Sequence, residues 1–310
     1  MLSYTIVILC NLNGKQTKVS YRYVKTGVLN IHIHSIRYHF MKSIYTIIIL
    51  FILILTLTAG NLLAQSQLDD KTLRSSESET MEMKNYESDF YNELWTYHIS
   101  LNNGFQIIYA FTITDFGKYK ERATGCKFQT NWQDGKHYVV RKEYDPEDFI
   151  YDEQQNMIRL HPDRPYYAKG SFDDQHRLFF ETTKDGVSYF ADIKISNMAK
   201  PQILGDGKFT ANGKDIELSF PMPHGEVIAD LAINGDTLKN IRGTAYMDHL
   251  VQTDLGVNIF ENGYRFKTGD MQNGLVGNFL KSKEGNQVAG YGIRYKDGQA
   301  QPIIPKSQEI

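Results

Sequence analysis

Acidic residues are missing from the N-terminal stretch: no Asp or Glu precedes Asp69, whereas Lys15, Lys18, Arg22, Lys25, Arg37 and Lys42 all lie there. Without those six, the 34 basic residues fall to 28 against 36 acidic ones, a net charge of −8. That balance lacks the basic footprint of a nucleic-acid partner. Cysteine is nearly absent as well. Only Cys10 and Cys126 occur, and Cys10 falls in a stretch read below as upstream extension, so an exported chain has no internal disulfide to form. Cys126, beside Gly125, reads as a packing residue rather than a nucleophile. No Gly-x-Ser-x-Gly elbow appears, and no phosphate-cradling glycine loop opens a helix. His98, His137, His161, His176, His224 and His249 are scattered without metal-ligand spacing. Neither a metal nor a cofactor is expected. Lys118 to Arg122 reads as a solvated turn.

Long apolar runs are confined to one place. Met41-Lys42 is a short positive segment, Ile44 to Leu57 an apolar one, and Leu62-Leu63-Ala64 offers a small residue before Gln65. This is the order of a secretory signal peptide, with cleavage near Ala64 and a periplasmic or secreted product. The alternative is an uncleaved anchor, since the run approaches spanning length; only then is a membrane a partner. No cysteine sits near the cleavage point, which argues against a lipoprotein anchor. Residues 1–40 then read as upstream of the true start, the alternative being a genuine extension. Residues 65–88, rich in Ser, Glu, Asp and Lys, read as a flexible linker.

Helical periodicity is scarce in the remainder, and alternation of period two recurs instead. Leu94 to Leu101 reads as a strand with Trp95, Tyr97 and Ile99 on one face, and Phe105 to Phe116 follows Asn103-Gly104. Asp134-Gly135, Asp185-Gly186, Asn212-Gly213, Asn234-Gly235, Asn262-Gly263, Asn273-Gly274 and Asp297-Gly298 each separate apolar-aromatic runs. Such dipeptides tolerate the positive φ of a type I′ hairpin turn. So many at hairpin spacing predict an antiparallel meander, which closes into a barrel or stacks into a sandwich to protect its edges. The 20 Tyr and 17 Phe suit strands and cores, and some can line a cavity.

The segment from Phe220 to His249 ends in Gly243-Thr-Ala-Tyr246-Met-Asp248-His249. This resembles the G-x-x-Y-x-D-H signature of the carotenoid 1,2-hydratase and AttH-like family. Glu93-Leu-Trp95-Thr-Tyr97 before Asn103-Gly104 is similar to that family's opening strand, and Met271 to Lys296 to the start of its second barrel. The Trp and Gly common after Asp-His in the family are Leu250, Val251 and Gln252 here. The resemblance implies tandem lipocalin-like barrels: a lipocalin-like β-barrel over 89–252 and a second, shortened lipocalin-like β-domain over 253–310. It also implies an apolar small-molecule ligand, isoprenoid or lipid-like, and acid-catalysed hydration or isomerisation of a double bond. Asp248 would then be the proton donor and Tyr246 a stabilising or orienting group. His249 would assist only if the strand bends to bring it round.

The residues allow a reading of their own. With Asn234-Gly235 as a two-residue loop, Ile233 faces Asp236 and Leu231 faces Leu238. Extending that register places Thr244, Tyr246 and Asp248 on the face of Val227, Ala229 and Leu231, with Met247 and His249 opposite. Asn240 and Arg242 fall on the apolar face too, so the register demands a bulge or a polar cavity. Burial keeps a carboxyl protonated, as an acid catalyst requires. A plain Tyr–Asp hydrogen bond in a barrel wall is the structural alternative, as is a ligand-binding or structural β-protein without chemistry. Trp95 and Tyr97 read as core or pocket lining, and His224 as a turn residue or a cavity group.

Overall fold

The computed structural model describes residues 4–12, 15–23, 72–76, 81–84, 86, 88–132, 135–161, 166–269, 273–284, 288–296 and 299–305. Met1–Ser66 and Gln67–Ile310 are separate units. In the first, β1 (Tyr4–Leu12) and β2 (Lys15–Tyr23) pair as an antiparallel hairpin. The signal-peptide segment 41–64 lies outside the described residues.

In the second unit one antiparallel sheet curls into a nearly closed barrel. Its strands are β3 (Leu73–Ser75), β4 (Tyr91–Leu101), β5 (Gln106–Asp115), β6 (Ala123–Asn131), β7 (His137–Tyr144), β8 (Phe149–Asp152), β9 (Met157–Leu160), β10 (Tyr166–Gly170), β11 (Gln175–Lys184), β12 (Val187–Asn197), β13 (Gln202–Leu204), β14 (Lys208–Ala211), β15 (Lys214–Ile233) and β16 (Asp236–Gln252). Around the barrel they run β7-β6-β5-β4-β16-β15-β12-β11-β10-β9-β8, with β13 and β14 added to β15 and β3 to β13. A separate meander follows: β17 (Phe260–Gly269), β18 (Gly274–Ser282), β19 (Val288–Lys296) and β20 (Gln299–Ile303). The chain is therefore all-β, a lipocalin-like barrel followed by a smaller four-stranded sheet. Within the stretch read as linker, β3 pairs with β13 and Met81 is fully buried.

The turn chemistry works at three of the expected places. Asp185-Gly186, Asn212-Gly213 and Asn234-Gly235 all have both residues at positive φ and join consecutive strands, as a type I′ loop requires. Asn262-Gly263 is different: it lies inside β17, beside a register shift after Phe260.

Alternation along β4 sends Tyr91, Glu93, Trp95, Tyr97, Ile99 and Leu101 inward. All but Glu93 meet Tyr109, Phe111, Phe128 and Phe180 in one core cluster, where the Phe128 and Phe180 rings stack at 4.8 Å. The barrel interior is packed with side chains. A second cluster forms outside the wall, where Leu218, Phe220, Tyr246 and Leu250 meet Val276, Leu280, Tyr291 and Tyr295 of the smaller sheet. Tyr291 stands edge-on to Phe220 and donates its hydroxyl to the Gln202 carbonyl at 3.2 Å.

The long β15–β16 hairpin decides which residues reach each cluster. Near the turn, Ile233 faces Asp236 and Leu231 faces Leu238, as expected. Then Lys239 and Asn240 together oppose the single residue Asp230, and pairing resumes at Ala229 with Ile241. Asn240 takes φ 52, and its backbone N–H donates to Asp230 Oδ1 at 2.7 Å. One extra residue reverses every side chain beyond it. Further along, β15 carries two irregularities, between Ser219 and Met222 and between Met222 and Gly225. Pro221 and Pro223 fall within them, and neither has an N–H to give to the ladder.

Candidate functional site

The bulge at Asn240 corrects the predicted orientation. Val227, Ala229 and Leu231 pack in the barrel interior with Ala245 and Met247, whereas Tyr246 is in the outer cluster. Tyr246 and Asp248 do share a face, but it is the outer wall of the barrel rather than the inner one. They are not hydrated there. Both are fully buried, because the smaller sheet covers them.

Asp248 is enclosed by groups from three strands. Its Oδ1 lies 3.1 Å from Arg265 Nη2 on β17 and 3.4 Å from Asn278 Nδ2 on β18. Its Oδ2 is 3.9 Å from His98 Nε2 on β4 and has no hydrogen-bond partner among the described residues. The same holds for His98 Nε2, the Tyr246 hydroxyl, Asn278 Oδ1 and the Thr96 hydroxyl. The His98 and Tyr246 rings stack at 4.7 Å, nearly parallel, as their pairing across β4 and β16 places them.

Burial dominates the electrostatics. It raises the Asp248 carboxyl above its ordinary range, and Arg265, Asn278 and His249 only partly offset that. Burial lowers His98 to about 3, helped by Arg265, Lys127 and Lys267, so its imidazole is neutral at physiological pH. The Tyr246 phenol is pushed up by burial and by the neighbouring Asp248. Lys267, bonded to the Thr244 hydroxyl, is lowered by burial to about 8. An acid that burial holds toward its protonated form beside a neutral ring nitrogen can donate a proton to a substrate.

The other predicted residues lie elsewhere. His249 points into the barrel, where Nε2 is 2.7 Å from Glu93 Oε1 and the ring stacks on Trp95 at 5.0 Å. The strand does not turn it toward Asp248. Glu93 also accepts the Tyr91 hydroxyl and the Lys84 N–H. Trp95 and Tyr97 are fully buried in the interior core, Tyr97 with its hydroxyl 2.8 Å from His176 Nε2. His224 faces the smaller sheet, its ring 6.3 Å from that of Tyr295. The three residues expected to line one pocket thus occupy two sides of the wall. Sequence reasoning missed His98, Arg265 and Asn278. His98 had one available signal, its place in β4 directly opposite Tyr246; the other two come from strands whose register no local pattern reveals.

No protein-family model matches the sequence, and no curated protein matches it either. Solved structures do. A protein of Nitrosomonas europaea described as an AttH superposes with a TM-score of 0.52 at 14% identity, over 74% of this chain and 73% of that one. The fold is AttH-like. CghA, in its structure with Sch210972, shares this AttH-like fold with a TM-score of 0.54 at 11% identity, over 74% of this chain and 68% of its own. Kievitone hydratase from Nectria haematococca is a looser likeness, with a TM-score of 0.45 at 10% identity over 75% and 71% of the two chains. The AttH-like resemblance read from Tyr246-Met-Asp248-His249 is thus met at the level of fold.

Proposed function

We propose that the protein binds an apolar, double-bonded small molecule against the outer wall at Asp248 and hydrates or isomerises it by acid catalysis. One observation carries this reading. Asp248 Oδ2, His98 Nε2 and the Tyr246 hydroxyl are buried together with no partner among the described residues. Each such group costs about 1–3 kcal/mol unless something completes it, and a bound molecule or water would do so. CghA, which has the same fold and is seen with Sch210972, supports a ligand-binding role.

In the proposed reaction the Asp248 carboxyl gives its proton to one alkene carbon, leaving a cation on the other. Water adds to that cation and returns a proton to the carboxylate, so the sum is alkene plus water to alcohol. Loss of a different C–H proton to Asp248 gives the isomerised alkene instead. Tyr246 and neutral His98 present ring faces and polar atoms that orient the water and stabilise positive charge.

The experiment supplies farnesol and oleate in oxygen-18 water and follows labelled alcohol by mass spectrometry. The expected result is labelled product whose rate falls as pH rises through the Asp248 pKa, and its loss in Asp248→Asn at unchanged ligand affinity. Equal rates in wild type and variant overturn the reading. A second reading has its own support: the Arg265 and Asn278 contacts tie Asp248 to the smaller sheet. If Asp248 is a latch rather than an acid, Asp248→Asn lowers stability and leaves no activity to lose.

Export is part of the proposal. Met41 to Ala64 acts as a signal peptide, and N-terminal sequencing of the exported protein is expected to begin at Gln65. A mature chain that retains the apolar run argues for an anchor.

A further inference from the structure

The outer face that carries Asp248 extends beyond the smaller sheet. Reading across the register from Asp248 gives Thr96 on β4, Ala110 on β5, Lys127 on β6 and Arg141 on β7, one lateral row. A groove of about 530 Å³ lies on this face, floored by Ala110, Thr112 and Gly125 and flanked by Leu94 and Phe116, with Lys127 and Arg141 along it.

The groove is apolar in its walls and positive in its charge. Lys127 and Arg141 stand directly opposite each other on adjacent strands, and neither has a carboxylate partner among the described residues. Arg141 and Arg265 add to burial in lowering Lys127, while Lys127, Lys267 and Arg265 all act on His98. The one carboxylate in the groove lining, Glu143, is already paired with Lys120. Like charges crowded beside apolar surface repel one another unless an anion joins them. A second observation links this charge to the site. Thr96 is 3% exposed, its hydroxyl has no partner among the described residues, and it stands in the row between Asp248 and the groove.

We propose that the ligand is an amphiphilic anion, a carboxylate on a long hydrocarbon chain, with its head on Lys127 and Arg141 at the groove and its chain laid across Ala110 and past Thr96 toward Asp248. This rests on the reading of Asp248 as the reacting end of the site. Lys127 and Asp248 are three inter-strand steps apart, about 14 Å between backbones, so a short-chain acid cannot satisfy both ends.

Equilibrium dialysis of the full protein against oleate below its micellar concentration tests this, with oleyl alcohol as the uncharged counterpart. Oleate is expected to bind at least about tenfold tighter than the alcohol, and the preference to shrink with added salt. The Lys127→Gln/Arg141→Gln variant is expected to lose that preference while its affinity for oleyl alcohol stays the same. Equal affinities in wild type, or equal losses for both ligands in the variant, overturn the proposal. So does co-sedimentation with phosphatidylglycerol vesicles in a protein that does not bind monomeric oleate, which would assign the charge to a membrane surface. Failure here is separable from failure of the acid reading. Asp248→Asn is expected to keep the oleate preference, whereas turnover without any preference leaves the acid reading standing and removes this one.

Discussion

Acid should unfold this protein through two histidines, and the size of the effect follows from where they sit. His98 is held at about 3 and His176 at about 4, both from an ordinary 6.5 and both chiefly by burial. As pH falls through 6.5 the unfolded chain takes up protons on these imidazoles and the folded chain does not, so stability is lost on the acid side. Between about pH 8 and about pH 5 each histidine contributes a loss of about 2 kcal/mol, and the pair about 4 kcal/mol. Urea titrations at the two pH values measure it directly. His98→Phe keeps a flat ring against Tyr246 and removes the titration, so its acid loss is expected to be about 2 kcal/mol smaller than wild type. Adding His176→Gln should remove about 2 kcal/mol more. If both variants keep the full wild-type pH dependence, the histidines are protonated in the folded state and the account of the site's electrostatics fails.

Three further perturbations probe the frame around the site. A Cβ at Gly243 would come within 2.2 Å of the Ser100 carbonyl oxygen and 2.8 Å of Leu101 Cα; with backbone on that side unable to yield, Gly243→Ala is expected to cost about 3 kcal/mol in a thermal or urea melt. Asn240, at positive φ in the bulge, should accept glycine with little change, whereas Asn240→Val is expected to cost about 2 kcal/mol. Arg265→Met removes the cation beside Asp248, so the carboxyl should titrate at still higher pH, visible as a protonated C=O stretch in difference infrared spectra; an unshifted band would show that Arg265 does not act on it.

Much of the architecture was legible because its signals are local. The Asn-Gly and Asp-Gly dipeptides carry positive φ within two residues, and the alternation of Trp95, Tyr97 and Ile99 needs only the pleat. Asn262-Gly263 misled for the same reason: the dipeptide permits a turn, but pairing with β18 keeps Asn262 and Gly263 in a strand. The burial of Tyr246 with Asp248 was legible from the motif. The face they occupy was not, because it depends on whether Lys239 and Asn240 count as one position or two. The only warning was polar Asn240 and Arg242 on a face that had to be apolar. Arg265 and Asn278 were beyond reach, since neither lies near Asp248 in sequence and both arrive through the docking of a second sheet.

The extra residue at Asn240 divides the labour of the wall. By turning the Tyr246–Asp248 side outward, it leaves the lumen to the aromatic rings of the core, so that rigidity there need not compete with the site proposed on the outer face. On the proposed function, a guest would meet a seam between two sheets. Its width would depend on how closely the smaller sheet lies against β16, so substitutions on β17 and β18 would retune such a guest without touching the core that keeps the barrel folded.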